Sequence, residues 1–148
     1  MISMKAKYAI HALVCMASRP PETSFVAWKI AQVENIPQKF LEEILLDLRK
    51  EGILRSKTGK SGGYFLQVAP ANVKLTHIFQ AINDPLVTNA RLNSGDRFNA
   101  DRQDLIDPIR ARLAAAQNRV LESITLADLV QIRQEQLMQT LNSLDFQI

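Results

Sequence analysis

Lys57 and Lys60 share the stretch KTGKSGGY with Gly59, Gly62 and Gly63, and no acidic residue lies within it. That combination suits a polyanion. Ammonium groups attract phosphates, and glycine lets a backbone come close to a sugar–phosphate chain. Arg55 adds a cation just upstream. Earlier in the chain Gln38, Lys39, Glu42, Glu43 and Asp47 recur at helical spacing and would share the outer face of a helix. A glutamine can pair with adenine there, and a glutamate can accept from the amino group of cytosine. Three carboxylates near phosphates are costly, so Arg55, Lys57 and Lys60 must offset them.

Other chemistries find little support. Cys15 is the single cysteine, which excludes an internal disulfide and a thiolate-rich metal site. It lies beside the Ile10/Leu13/Val14/Ala17 stripe and is expected to act as a small hydrophobe. His11 and His77 are far apart and have no companion cysteine, so each is expected to be a hydrogen-bonded structural histidine. Asp96, Asp101, Asp104 and Asp107 match no cation-binding loop spacing. The Gly-Lys-Ser inside KTGKSGGY lacks the preceding glycine of a phosphate-binding loop and falls in a hairpin pattern. With no nucleophile–base pair either, an enzyme is not expected, and no cofactor or metal is assigned.

These groups need elements to carry them. The periodicity predicts a first helix over residues 4–18, broken by Arg19-Pro20-Pro21. Thr23 or Ser24 is the expected cap of a second helix with Ala27, Ile30 and Ala31 on its apolar stripe. Trp28 falls off that stripe. Asn35-Ile36-Pro37 makes a turn, with Pro37 expected as the first residue of a third helix that runs to Glu51. Leu41, Ile44, Leu45 and Leu48 form its buried face, Leu46 points away from it, and Gly52 ends it. Residues 53–57 and 64–68 are expected to pair as a hairpin through the glycine turn. A short helix over 75–83 follows, then a polar loop over 86–104.

Asp107-Pro108 opens a long helix in which Ile106, Ile109, Leu113, Ala116 and Val120 are spaced 3, 4, 3, 4. That is a heptad seam, suited to pairing with a copy of itself; packing on its own domain is the other possibility. A last amphipathic helix covers about 126–144. The fold class is mainly α with a small β-hairpin wing, a winged helix-turn-helix followed by a dimerisation helix. The expected division is 1–85 for the DNA-binding domain, 86–104 for the loop, and 105–148 for the dimerisation and C-terminal helices.

Charge agrees with this division. The whole chain has 148 residues and a net charge of +3. Residues 1–85 carry eleven Lys+Arg against seven Asp+Glu, and residues 86–148 carry seven against eight. Positive charge on the winged part suits nucleic acid. No apolar run approaches the roughly eighteen residues that a membrane span needs. The amphipathic period of the N-terminal stretch argues against a signal peptide, and a cytoplasmic location is expected. The alternative is a protein-interaction module that kept the fold and lost DNA binding, with Glu42, Glu43 and Asp47 facing a basic partner.

The chain also resembles the Rrf-type bacterial winged-helix transcriptional regulators. The resemblance rests on KYAIHAL in the first helix, IPQKFLEEILLDLRKEGIL through the third, KTGKSGGYFL in the wing, and LTHIFQAINDPL and ITLADLV beyond it. It implies a homodimeric regulator, with repressor as the expected sense, on a palindromic operator. Contacts to the operator would come from Pro37, Lys39, Phe40, Glu42 and Glu43 in the reading helix, and from Thr58, Gly59, Lys60 and Ser61 at the wing tip; Gln38, Lys57 and Gly62 complete the expected interface. Thr58 stands where the iron–sulfur regulator of this family has an arginine. Many members hold an iron–sulfur cluster through three cysteines placed before the dimerisation helix. Residues 86–107 contain no Cys, His or Met here, and Lys7 stands where some relatives have a ligating aspartate. The resemblance therefore implies a cluster-free member whose signal is a partner protein, a thiol or an unidentified small molecule.

Overall fold

The computed structural model describes residues 1–87 and 105–145. Ser3 opens the first helix, α1 (Met4–Ala17), by accepting the Ala6 N–H at 3.0 Å. Ala6, Ala9, Ala12, Leu13, Val14 and Met16 are all buried along α1. Three alanines let neighbouring helices approach closely, so α1 is the centre of the fold.

The second helix, α2 (Ala27–Glu34), begins later than its expected cap. Neither Thr23 nor Ser24 caps it; Val26 occupies that position without a side-chain bond. Both hydroxyls are committed elsewhere: Thr23 Oγ1 donates to the Pro20 carbonyl, and Ser24 Oγ donates to the Gly62 carbonyl at 2.7 Å. Phe25 then pairs with Tyr64 through two backbone bonds of 2.9 and 2.8 Å. The hairpin thus takes the Ser24 hydroxyl that a cap would have used, and the loop takes that of Thr23. The α2–α3 turn passes through Asn35, whose φ of 52° is left-handed and whose short amide side chain tolerates it. Pro37, expected as the first helical residue, is instead the N-cap of α3 (Gln38–Lys50), with an extended ψ of 125°.

Leu41, Ile44, Leu45 and Leu48 bury one face of α3, and Gly52, at φ +77°, turns the chain away after it. Each buried leucine contributes about 1.5–3 kcal/mol by leaving water. The hairpin follows as β1 (Leu54–Lys57) and β2 (Gly63–Leu66), antiparallel, with Leu54 opposite Leu66 and Lys57 opposite Gly63. A 3-10 turn over Pro70–Asn72 leads to α4 (Leu75–Ala81), which stops short of the expected Asn83; that residue has φ 53°. Asp84 is buried and accepts from Ser3 Oγ and the Leu86 N–H. Leu86 and Val87, expected in the loop, pack against the core. Residues 88–104, with Asp96, Asp101 and Asp104, lie outside the described residues.

Two long helices complete the fold, α5 (Asp107–Ser123) and α6 (Leu126–Asp145). Thr125 caps α6 with Asp128 reciprocally: the Thr125 N–H donates to the Asp128 carboxylate, and the Asp128 N–H donates to Thr125 Oγ1. Leu126 is fully buried in the same core as α1 and α3. No described helix is long and apolar enough to cross a membrane.

A charged knot ties α6 to α1 and α2. Arg133 donates to both Glu34 oxygens, at 2.6 and 3.0 Å, and to His11 Nδ1 at 2.8 Å. Burial pushes the Glu34 carboxyl up, but the Arg133 hydrogen bonds and charge hold it below its ordinary value of 4.5. A carboxyl lowered on folding adds stability that is complete above the unfolded value and lost as pH falls through the folded one. We therefore expect Arg133→Gln to be less stable at pH 7 and to lose less stability than wild type between about pH 5 and pH 3, read by urea denaturation across that range. Parallel pH curves for the two proteins would contradict the knot.

Candidate nucleic-acid interface

With one face of α3 buried, the other is left to solvent. Pro37, Gln38, Lys39, Phe40, Glu42 and Glu43 are all exposed, Phe40 by 58%. Gln38 Nε2 donates to Glu42 Oε1 at 3.0 Å, one turn along the helix. That bond orients the amide and leaves the Gln38 carbonyl and the second Glu42 oxygen as outward acceptors.

Asp47 does not join this face. Its carboxylate pairs with Lys5 Nζ on α1 at 2.9 Å and is only partly exposed, so one of the three acidic groups expected near phosphates is already neutralised. Helical spacing alone groups it with Glu43, and Lys5 lies too far away in sequence for periodicity to reveal the pair.

The wing stands beside α3, joined to it where Arg49 Nη1 donates to Ser56 Oγ at 3.1 Å. Thr58, Gly59, Lys60 and Ser61 form the exposed tip, and Gly62 donates its N–H to the Gly59 carbonyl at 3.0 Å to close the turn. Gly59 has φ +102°, and a Cβ on Gly62 would overlap the Lys57 carbonyl oxygen. Lys39, Lys57 and Lys60 make no ion pair among the described residues. Lys57 Nζ lies 5.5 Å from the Phe65 ring centre.

Arg55 behaves differently from the lysines. Its guanidinium pairs with Glu22 and stacks 4.4 Å from the Phe65 ring centre, which holds it at the base of the wing. Trp28, off the buried stripe as its position suggested, is half exposed with Lys29 Nζ 5.6 Å from its ring. Leu46 is also partly exposed.

The remaining candidates are structural. His77 Nδ1 accepts the Lys74 N–H at the start of α4. Burial pushes the Cys15 thiol up and the Glu34 charge pushes it further, outweighing Arg133 and Arg19; a protonated thiol is a poor nucleophile. Ile106, just before α5, and Ile109, Leu113, Ala116 and Val120 along it are all exposed.

Comparison with known proteins gives a consistent result. The family model Rrf2, described as iron-dependent transcriptional regulator, matches residues 2–132. A relative in Mycobacterium tuberculosis, provisionally named an HTH-type transcriptional regulator, is 34% identical over 128 residues, covering 86% of this chain and 79% of its own. The HTH-type regulator CymR of Bacillus subtilis is 30% identical over 86% of this chain and 88% of its own. Its solved structure, that of the global cysteine regulator of B. subtilis, superposes with a TM-score of 0.72 over 89% of this chain and 97% of that one at 26% identity. The structure of T. potens IscR shares the fold, with a TM-score of 0.74 at 24% identity over 91% of this chain and 89% of that one.

Iron dependence would require a donor set for the metal. Among the described residues no group of three His, Cys, Asp or Glu could hold a metal ion. The sole thiol, Cys15, is partly buried on α1 with its pKa raised, and residues 86–107 offer no Cys, His or Met. These residues do not fit an iron–sulfur cluster, which needs thiolate ligands.

The wing's seat yields a graded expectation. A Cβ on Gly63, at φ +141°, would lie 2.6 Å from the Phe25 carbonyl oxygen and 2.7 Å from Ser24 Oγ, whereas one on Gly52 would meet open space. Gly63→Ala should cost about 2 kcal/mol or more through overpacking, and Gly52→Ala about 1 kcal/mol through its left-handed backbone alone. Urea unfolding of both variants checks the order; equal costs would contradict the packed seat.

Proposed function

Because the chain belongs to the Rrf2 family of DNA-binding transcriptional regulators, we propose that it is a homodimeric repressor of the bacterial cytoplasm that reads a palindromic operator without an iron–sulfur cluster. The observation that carries this is the exposed polar face of α3 beside a wing whose lysines make no ion pair among the described residues. A major groove about 12 Å wide admits α3. Gln38 and Glu42 then offer acceptors to the amino groups of adenine or cytosine, Lys39 and the wing lysines meet phosphates, and Phe40 packs against a thymine methyl or the sugars. The glycines of the tip let it follow the backbone into the neighbouring minor groove.

Dimerisation is supported by what α5 leaves uncovered. Ile109 is 53%, Leu113 66% and Val120 56% exposed, and Leu137, Leu141 and Leu144 on α6 are similarly bare. A monomer rarely leaves so long an apolar face to water. In this reading 1–85 reads DNA and 105–148 pairs the subunits, with α6 returning to α1 through Arg133.

Fluorescence anisotropy with the duplex upstream of its own gene, against a scrambled duplex at two salt concentrations, tests the proposal. Tighter binding to the upstream duplex that weakens steeply with salt is expected, since each neutralised phosphate adds about −0.9 to the log–log slope. Lys57→Glu with Lys60→Glu should abolish that binding and leave the oligomeric state unchanged; unaltered affinity would remove the wing from the interface. Leu113→Asp should shift the protein from dimer to monomer by sedimentation equilibrium and weaken operator binding at least about tenfold, since two half-sites then bind independently. A Leu113→Asp protein that stays dimeric would place the seam elsewhere.

A further inference from the structure

A cavity of about 330 Å³ lies between the end of α1, the loop over 19–25 and the chain leaving β2. Met16, Phe25, Leu66, Val68 and Pro70 line it, and Arg19 and Glu22 stand in the same wall. None of the residues assigned to DNA contact lines it. We propose that this cavity is an effector site for a small amphipathic carboxylate, and that filling it controls the wing. The control half rests on the DNA-reading function above; the binding half does not.

The chemistry of the ligand follows from the walls. The volume falls in the lower range of small-molecule pockets, and the lining is mostly apolar with few polar groups, as such sites are built. Arg19 is exposed and its guanidinium makes no ion pair among the described residues. Glu22 already holds Arg55. One free cation over an apolar hollow suits a single carboxylate on a short hydrocarbon body, and the neighbouring Glu22 disfavours a dianion.

The loop that walls the cavity is also the loop that seats the wing. Ser24 bonds the Gly62 carbonyl, Phe25 pairs with Tyr64, and Glu22 holds the Arg55 guanidinium against Phe65. Glu22 has φ 64°, a left-handed conformation that non-glycine residues adopt at a cost, so this wall is held in place by its contacts. A carboxylate bound at Arg19 repels Glu22, loosens its hold on Arg55 and frees a cation at the base of the wing. Occupancy therefore strengthens operator binding.

The test uses the full chain with octanoate and octan-1-ol, which share an apolar body and differ in charge. Calorimetry without DNA should show one octanoate site per chain, with octan-1-ol about tenfold weaker, as expected when a charge-assisted bond is lost. Arg19→Gln should bring octanoate down to the alcohol's affinity. Val68→Trp should remove both, with circular dichroism verifying its fold; Arg19→Gln, a surface change, decides the matter if Val68→Trp does not fold. Equal affinity for the two probes, no binding of either at millimolar concentration, or indifference to Arg19→Gln would overturn the site. With the upstream duplex, octanoate should tighten binding about threefold or more in wild type and not in Arg55→Gln, as expected for freeing one phosphate-seeking cation. Unchanged duplex affinity with octanoate bound would overturn the control of the wing. No duplex binding in either condition would overturn both that control and the DNA-reading function, while the calorimetry decides the ligand site by itself.

Discussion

The seating of α3 on α1 is the contact on which the rest depends. Leu41, Ile44, Leu45 and Leu48 share one buried cluster with Ala6, Ala9, Leu13 and Met16, and that packing decides which side of α3 is left for a groove. A helix this strongly two-faced cannot rotate without exposing leucine and burying Glu42 or Glu43, each unfavourable. The proposed reading face is thus a by-product of the core. The wing inherits its place from the same packing, because β1 follows α3 after a single glycine turn and Arg49 ties the two.

Charge is sorted by the same framework. Asp47 is neutralised by Lys5 and Glu34 by Arg133, both inside the helical assembly, and Glu22 by Arg55 at the base of the wing. Among the described residues, Lys39, Lys57 and Lys60 have no ion-pair partner on the side where a polyanion would lie. A net charge of only +3 is therefore a poor guide to the local field; the distribution of unpaired cations matters more.

Much of this was legible in the residues. The 3.6-residue period of Leu41, Ile44, Leu45 and Leu48, the left-handed Asn35, and glycines where the chain turns gave the elements nearly to the residue. The motif from Ile36 to Leu66 carried the family. What stayed hidden depends on partners distant in sequence. Ser24 looked like a helix cap because a serine before an apolar stripe usually is one, yet Gly62 claims its hydroxyl across 38 positions. Arg133 reaches Glu34 across 99 positions, and Asp47 reaches Lys5 across 42. Periodicity carries no information about such pairs. The cavity beside Met16 and Val68 is likewise a property of three segments meeting. For the heptad seam on α5 the period was visible, and the structure adds that Ile109, Leu113, Ala116 and Val120 are exposed among the described residues.

In the proposed dimer two copies of α3 read DNA as a symmetric pair. Hydroxyl-radical footprinting of the protein on the duplex upstream of its own gene tests it most directly. Two protected patches related by a dyad are expected, their centres separated by about one helical turn or a multiple of it, with flanking protection where the wing tips lie. A single unsymmetrical patch, or uniform cleavage at protein concentrations that saturate binding, would contradict it.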